Sequence, residues 1–328
     1  MVIAATALLS AVLCWMYLAL ARRWQIVDRP NDRSSHRTPT PHGGGVPLLL
    51  AGAAGAILGG SYLGLGDGVY ATLSGTALAL MVLGVLDDLV GLSVRLRLAL
   101  YGLCCLGTAA VLLQSMEVGG WAPVPLLQLG GAALGMMWLL NLYNFMDGID
   151  GLAASQCVLA CTAAAALAHW CGASESYVFG CLLLAAAQLG FLLWNWPPAR
   201  LFMGDAGSVP TGFLLGALAL LGQLRGELPL ACWLILLAAF ITDASWTLVW
   251  RMSTGQAFTR PHRLHAYQRL SRHWRGHLPV DLLLLGIVLL WLAPLAALVL
   301  YLPSYQFFLV ILAYFPLVVG MAKVRNLT

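Results

Sequence analysis

Apolar residues run along this chain in long unbroken stretches, not with the alternation of a half-buried strand or the single stripe of a soluble helix. Eleven such stretches lie near 2–21, 46–66, 69–86, 98–116, 121–140, 151–168, 176–196, 206–224, 228–250, 282–301 and 303–322. About 20 apolar residues in a helix cross the hydrocarbon core of a bilayer. Ten of the stretches carry no charge, and the exception is Asp243 in the ninth. The pattern predicts an all-α, polytopic integral membrane protein of about eleven transmembrane helices. The connections are too short for a second soluble domain, so residues 1–328 read as one transmembrane domain.

Composition agrees and excludes the alternatives. The 328 residues are 61% hydrophobic and 9% charged, against roughly 25% charged in a soluble domain. A water-soluble enzyme, a disordered chain and a disulfide-stapled module are all ruled out. Most of the eight Cys (Cys14, Cys104, Cys105, Cys157, Cys161, Cys181, Cys232) fall inside apolar stretches, and no CxxC pair occurs. They read as small hydrophobes.

Charge position sets the expected orientation. Met1–Thr6 carries no positive residue, whereas Arg22 and Arg23 follow the first apolar run, the reverse of a secretory signal. With the N-terminus outside and eleven crossings, the C-terminus is cytoplasmic. The inner connections 22–45, 87–97, 141–150, 197–205 and 251–281, with the C-terminal tail, then hold 16 of the 17 Lys and Arg. Only Arg225 falls outside, as the positive-inside rule requires. Nine of the ten Asp lie at or near the same face, so the chemistry is expected on inner segments 22–45, 87–97, 141–151, 197–208 and 251–281.

Five clusters carry it. Asp87 and Asp88 end an apolar helix at the bilayer edge, where acids are costly and usually functional. Asn141, Asn144, Asp147 and Asp150 step by three, a spacing that shares one helix face. Asp205 sits between glycines where an inward-facing helix begins. Asp205 or Ser208 serves there either as an N-cap or, for Asp205, as a hard-metal ligand beside an anion-binding turn. Arg260, His262, Arg263 and His265, with Arg269, Arg272 and Arg275 nearby, form either a phosphate cradle or a patch for anionic lipid. The segment 28–45, rich in Pro, Gly, Arg and His, is a loop with many donors. Acids, amides and basic groups on one face suit phosphoryl transfer, which needs positioning and charge neutralisation above all.

Five motifs together make the chain resemble the polyprenyl-phosphate N-acetylhexosamine-1-phosphate transferases, of glycosyltransferase family 4 type. They are Arg33-Ser-Ser-His36 with Pro39-Thr-Pro41 and the glycines 43–45; Leu86-Asp87-Asp88; Asn141-x-x-Asn144-x-x-Asp147-Gly-x-Asp150-Gly-Leu152; Phe202-Met-Gly-Asp205-Ala-Gly-Ser208; and Pro261-His-Arg-x-His265-x-Tyr267-Gln268. The resemblance implies a UDP-linked N-acetylated sugar as donor, undecaprenyl phosphate as acceptor and UMP as leaving group. The product is a lipid-diphosphate sugar that starts a bacterial surface polysaccharide at the inner (cytoplasmic) membrane.

By the same resemblance Asp205 and Asn144 hold Mg2+, for which Mn2+ can substitute. Asp87 and Asp88 deprotonate or orient the lipid phosphate, and Asp147 and Asp150 hold the nucleotide or support the metal shell. His262, Arg263 and His265 bind diphosphate or sugar; Asn141, Arg260, Ser208, Arg33 and His36 are further candidate substrate contacts. The lipid bilayer is the remaining partner, no nucleic acid is implied, and a homodimer is left open. Where some relatives carry a third acid after the Asp pair, this chain has Gly91. The short histidine loop and the Arg-Ser-Ser-His segment look more like the O-antigen-initiating branch than the peptidoglycan branch.

Rival classes predict other patterns. A secondary transporter calls for midplane polar groups and repeated halves. A CDP-alcohol phosphotransferase calls for Ala-Arg after an Asp-Gly, which Asp147-Gly148 lacks. An intramembrane aspartyl protease calls for acids deep in adjacent spans.

Overall fold

The computed structural model describes residues 1–28, 38–63, 68–116, 125–256, 263–325 and 327. Each apolar stretch is helical through most of its described part. In order these are α1 (Val2–Arg23), α2 (Gly45–Leu63), α3 (Gly68–Val90), α4 (Val94–Gln114), α5 (Leu126–Met146), α6 (Leu152–Trp170), α7 (Glu175–Asn195) and α8 (Asp205–Arg225). There follow α9 (Leu230–Leu236), α10 (Ala238–Ser253), the short α11 (Ala266–His273), α12 (Leu278–Ile287), α13 (Ala293–Tyr301) and α14 (Gln306–Val324). A π-turn, Val288–Leu292, joins α12 to α13 into one rod. A two-residue ribbon pairs β1 (Val27–Asp28) with β2 (Thr40–Pro41).

Among the described residues nine helices, counting α12 with α13, are long and apolar enough to cross a membrane, and α9 with α10 make a tenth if they count as one span. The apolar helix Gly45–Gly60 is shorter. The fold is therefore an all-α polytopic membrane bundle, as the pattern predicts.

The ninth stretch departs from a straight span. Its two halves bend by 72° at Leu237. No Pro or Gly lies between Leu230 and Ser253, so nothing local announces the break. Neighbours make it tolerable: Gln156 of α6 donates to the Leu236 carbonyl at 2.9 Å, and Tyr314 of α14 to the Leu234 carbonyl at 2.9 Å. In hydrocarbon, freed backbone groups persist only when such partners answer them.

α7 packs on α1, α2 and α6, while α8 packs on α3 and α5. The buried apolar side chains form one continuous cluster. Small residues bring helix backbones close, as they do in membrane bundles generally. A Cβ on Gly212 would lie 2.9 Å from Leu140 Cα, and one on Gly84 2.6 Å from Ala206 Cα. That second approach joins α3 to the start of α8, and with it the ends that carry Asp88 and Asp205.

Candidate active site

At one end of the bundle these helix ends and their loops enclose a cavity of about 540 Å3. Its wall takes residues from all five expected segments: Asp28 and His42, Asp88, the run from Asp147 to Asp150 with Asn144, Phe202 to Asp205, and Gln268 with His277. Backbone hydrogen bonds hold the segments together. Phe202 N–H donates to the Pro41 carbonyl, Gly44 N–H to the Phe202 carbonyl and Gly45 N–H to the Met203 carbonyl, at 2.8–2.9 Å. The ribbon β1–β2 carries Asp28 to the same wall. Gly204 caps α8 at φ +72°, a conformation that favours glycine. It delivers Asp205 to the first helical position, where the helix dipole favours an acid.

The carboxylates divide their work. Asp87 Oδ1 accepts from Leu92 N–H at 2.8 Å and its Oδ2 pairs with Arg97 of α4, so Asp87 locks the α3–α4 turn. Asp88 lines the cavity instead, with His42 Nδ1 3.9 Å away. Arg97 also reaches Asp205 Oδ2 at 3.4 Å, bridging α3 and α8 through one guanidinium. Asn144 accepts at Oδ1 from the Ser208 hydroxyl at 2.8 Å, which fixes the amide at the cavity edge. Burial pushes the Asp147 carboxyl up to about 7, and the neighbouring Asp205 charge adds to the rise. Several acids thus crowd one small space beside Arg97, an arrangement that a bound cation would relieve.

On the far side the wall is a hydrogen-bonding one. Asp150 Oδ2 accepts from Ala199 N–H at 3.0 Å and lies 3.1 Å from His277 Nδ1. Asn195 ties two loops, accepting from Gly151 N–H at 2.9 Å and donating to the Leu201 carbonyl at 3.0 Å. Behind this wall Asp281 is buried, and neither carboxyl oxygen has a hydrogen-bond partner among the described residues. It also feels the like charge of Asp150. Asp281→Asn removes the charge and keeps the shape. It should stabilise the protein by about 1 kcal/mol or more, because an unanswered buried charge costs more than the unanswered neutral amide that replaces it. Thermal unfolding in detergent reads this as a higher melting temperature, and a lower one would show that Asp281 has a partner.

The structure sorts the residues expected from sequence. Asp88, Asn144, Asp147, Asp150 and Asp205 line the cavity together. Asp87 stands one layer behind. Ser208 is fully buried and acts on Asn144, not on the cavity. Asn141 turns back on its own helix, donating to the Met137 carbonyl at 2.7 Å, and does not line the cavity. The three-residue stepping stops mattering because α5 ends at Met146, which frees Asp147 and Asp150 from the helix face.

His265 is 5% exposed and stacks on Phe145 and Tyr267, away from the cavity lining. Its Nδ1 lies 3.2 Å from Asp243 Oδ1, so it is an anchored residue and not a wall residue. Arg263 accepts at its carbonyl from Arg272 and is likewise absent from the lining. Arg33, His36, Arg260 and His262 lie outside the described residues.

Sequence reasoning gave no site role to Arg97, Asp28, His42, Asn195, Gln268 or His277, although Gln268 stood in a quoted motif and Asp28 and His42 in the donor-rich segment 28–45. Arg97 was visible as a charge close to the Asp pair, but a count of positive residues does not separate a bridging Arg from an orienting one. His42 and His277 stand in connecting segments without a spacing that marks them.

Known proteins give the fold and the cavity a context. A family model for glycosyl transferase family 4 matches residues 70–223. The chain is 29% identical over 262 residues to a probable undecaprenyl-phosphate N-acetylglucosaminyl 1-phosphate transferase of Bacillus subtilis, covering 76% of this chain and 71% of the relative. It is 30% identical over 311 residues to the decaprenyl-phosphate N-acetylglucosaminephosphotransferase of Mycobacterium tuberculosis, covering 84% and 76%. It is 32% identical over 241 residues to the phospho-N-acetylmuramoyl-pentapeptide-transferase of Geobacillus kaustophilus, covering 66% and 73%. With Asp88, Asn144, Asp147, Asp150 and Asp205 drawn around one acidic cavity, the chain belongs to glycosyl transferase family 4, among the polyprenyl-phosphate N-acetylglucosamine-1-phosphate transferases.

Proposed function

We propose that the protein transfers an N-acetylated sugar-1-phosphate from a UDP-sugar to undecaprenyl phosphate at the cytoplasmic face of a bacterial inner membrane. UMP is released, and the lipid-diphosphate sugar begins an O-antigen-type polysaccharide. The observation that carries this reading is the crowding of Asp88, Asp147 and Asp205 with Asn144 in one cavity at a bundle end. The charge count assigns that end to the cytoplasm, with the N-terminus outside and the C-terminus inside.

An oxygen of the lipid phosphate forms the new bond to the sugar-linked phosphorus. The bond from that phosphorus to the bridging oxygen breaks, and the oxygen leaves with UMP. A phosphate monoester has its second pKa near ~6 and is largely a dianion at neutral pH, so the acceptor is already nucleophilic. Asp88, on the wall and beside His42, orients it; Asp87 acts through Arg97 and the α3–α4 turn.

The residues fit Mg2+. Among the described residues no three His, Cys, Asp or Glu gather as a metal cage, but Mg2+ takes one or two carboxylates and completes its shell with water and substrate phosphates. Asp205 and Asn144 would hold it, and Mn2+ would suit the same oxygens. Bound there, the cation would neutralise charge on the diphosphate. Asp150, His277 and Asn195 form the opposite wall, where the rest of the donor would lie.

The test is a UMP-release assay on purified protein with Mg2+, undecaprenyl phosphate and a panel of UDP-N-acetylated sugars. UMP should appear with at least one of them. Release no greater than in a metal-free control for every sugar would overturn the reading. Turnover confined to UDP-N-acetylmuramoyl-pentapeptide would move the chain to the peptidoglycan branch.

A further inference from the structure

α11 begins where a buried carboxylate takes its first N–H groups. Asp243 is 2% exposed; its Oδ1 accepts from Ala266 N–H at 2.9 Å and its Oδ2 from Tyr267 N–H at 3.0 Å. The Tyr267 hydroxyl donates to the Phe145 carbonyl at 3.0 Å, and its ring stands against Gly148. Asp243 and Tyr267 thus clamp α11 onto the turn that carries Asp147.

The next residue, Gln268, faces the cavity from this clamp. It is 8% exposed, and its Oε1 is buried with no hydrogen-bond partner among the described residues. Buried polar atoms are nearly always paired, so an unpaired one on a cavity wall calls for a partner that arrives with the ligand. The carboxylate end of the cavity repels anions unless a cation intervenes, but an amide oxygen discriminates differently. It accepts from a neutral N–H or O–H and gains nothing from a phosphate.

We propose that Gln268 is a donor-recognition residue whose Oε1 accepts a hydrogen bond from an N–H or O–H of the bound sugar nucleotide. The inference rests on the proposed reaction and names one of its substrate contacts. Such groups occur on both halves of the donor, the N-acetylated sugar and the uridine. A wall built to pair with a donor group loses much of its affinity when the pairing is removed.

Gln268→Met keeps the length of the side chain and removes the acceptor. It should raise the KM for the UDP-sugar about 10- to 100-fold while leaving the KM for undecaprenyl phosphate and the melting temperature unchanged. Inhibition by UMP separates the two halves of the donor. If only the UDP-sugar KM moves, Gln268 pairs with the sugar; if the UMP inhibition constant moves with it, Gln268 pairs with the uridine. Either outcome supports the proposal. Unchanged donor KM, or equal changes for donor and lipid acceptor, would overturn it. If the Met variant does not accumulate as folded protein, Gln268→Ala is read in the same way. Wild-type protein that releases no UMP would instead overturn the proposed reaction, so the two failures are told apart.

Discussion

Asp205→Asn should lower turnover by about 1000-fold or more while the protein still inserts and folds. The substitution changes one oxygen to nitrogen and removes a full negative charge from the cavity wall. Asp205 stands at the first position of α8 and within 3.4 Å of Arg97, so the carboxylate faces both a helix dipole and a guanidinium. Several kilocalories of charge stabilisation rest on such a group in phosphoryl transfer, and each 1.36 kcal/mol is about tenfold in rate. The Mg2+ concentration for half-maximal rate should also rise, because the carboxylate is the stronger of the two proposed ligands. Asp281→Asn is the matched control, since it alters a buried Asp behind the wall by the same chemistry and should spare turnover. Near-normal turnover of Asp205→Asn would remove this residue from the reaction centre.

The bundle was legible because hydrocarbon imposes one rule on every span: backbone polar groups must be answered within the helix. Long apolar runs satisfy that rule and little else, so α1 to α8 and α12 to α14 follow the pattern closely. The bend at Leu237 was not legible because its cause lies elsewhere in the chain. Gln156 and Tyr314 answer the freed carbonyls from α6 and α14, and no window around residue 237 contains them. α11 was hidden for a similar reason, since its start depends on Asp243, more than twenty residues earlier.

The acids of the site were visible as residue types at the ends of apolar stretches, and Asp88, Asn144, Asp147, Asp150 and Asp205 do share one cavity. Their individual duties were not visible. Adjacent residues on a helix point about 100° apart, so Asp87 and Asp88 cannot face the same partner; one holds Arg97 and the other the cavity. Asn141 shares a stripe with Asn144 but lies a turn deeper, where the nearest acceptor is its own helix. His265 was conspicuous among arginines, yet its position beside Asp243 makes it part of the clamp under Gln268.

Gly84→Ala adds a single methyl group at a position that does not line the cavity, yet it should reduce turnover about 100-fold. The new Cβ would lie 2.5 Å from Ala206 N and 2.6 Å from Ala206 Cα and the Asp205 carbonyl carbon. These are backbone atoms, so no rotamer change relieves the overlap, and α3 must move away from α8 by about an ångström to restore ordinary contact near ~3.5 Å. Asp88 follows Gly84 by one helical turn on the same face, and Asp205 opens the other helix. The shift therefore separates two cavity carboxylates, and a misplacement of about 1 Å can cost about 100-fold. Gly75→Ala on the same helix is the control: nothing lies within 4 Å of its Cβ position, and Ala is the better helix former by up to about 1 kcal/mol. Turnover and melting temperature measured on both variants decide the matter. Gly75→Ala should match or exceed wild type in stability and keep its activity. If Gly84→Ala keeps turnover within about threefold of Gly75→Ala, the close approach of α3 and α8 does not set the geometry of the site.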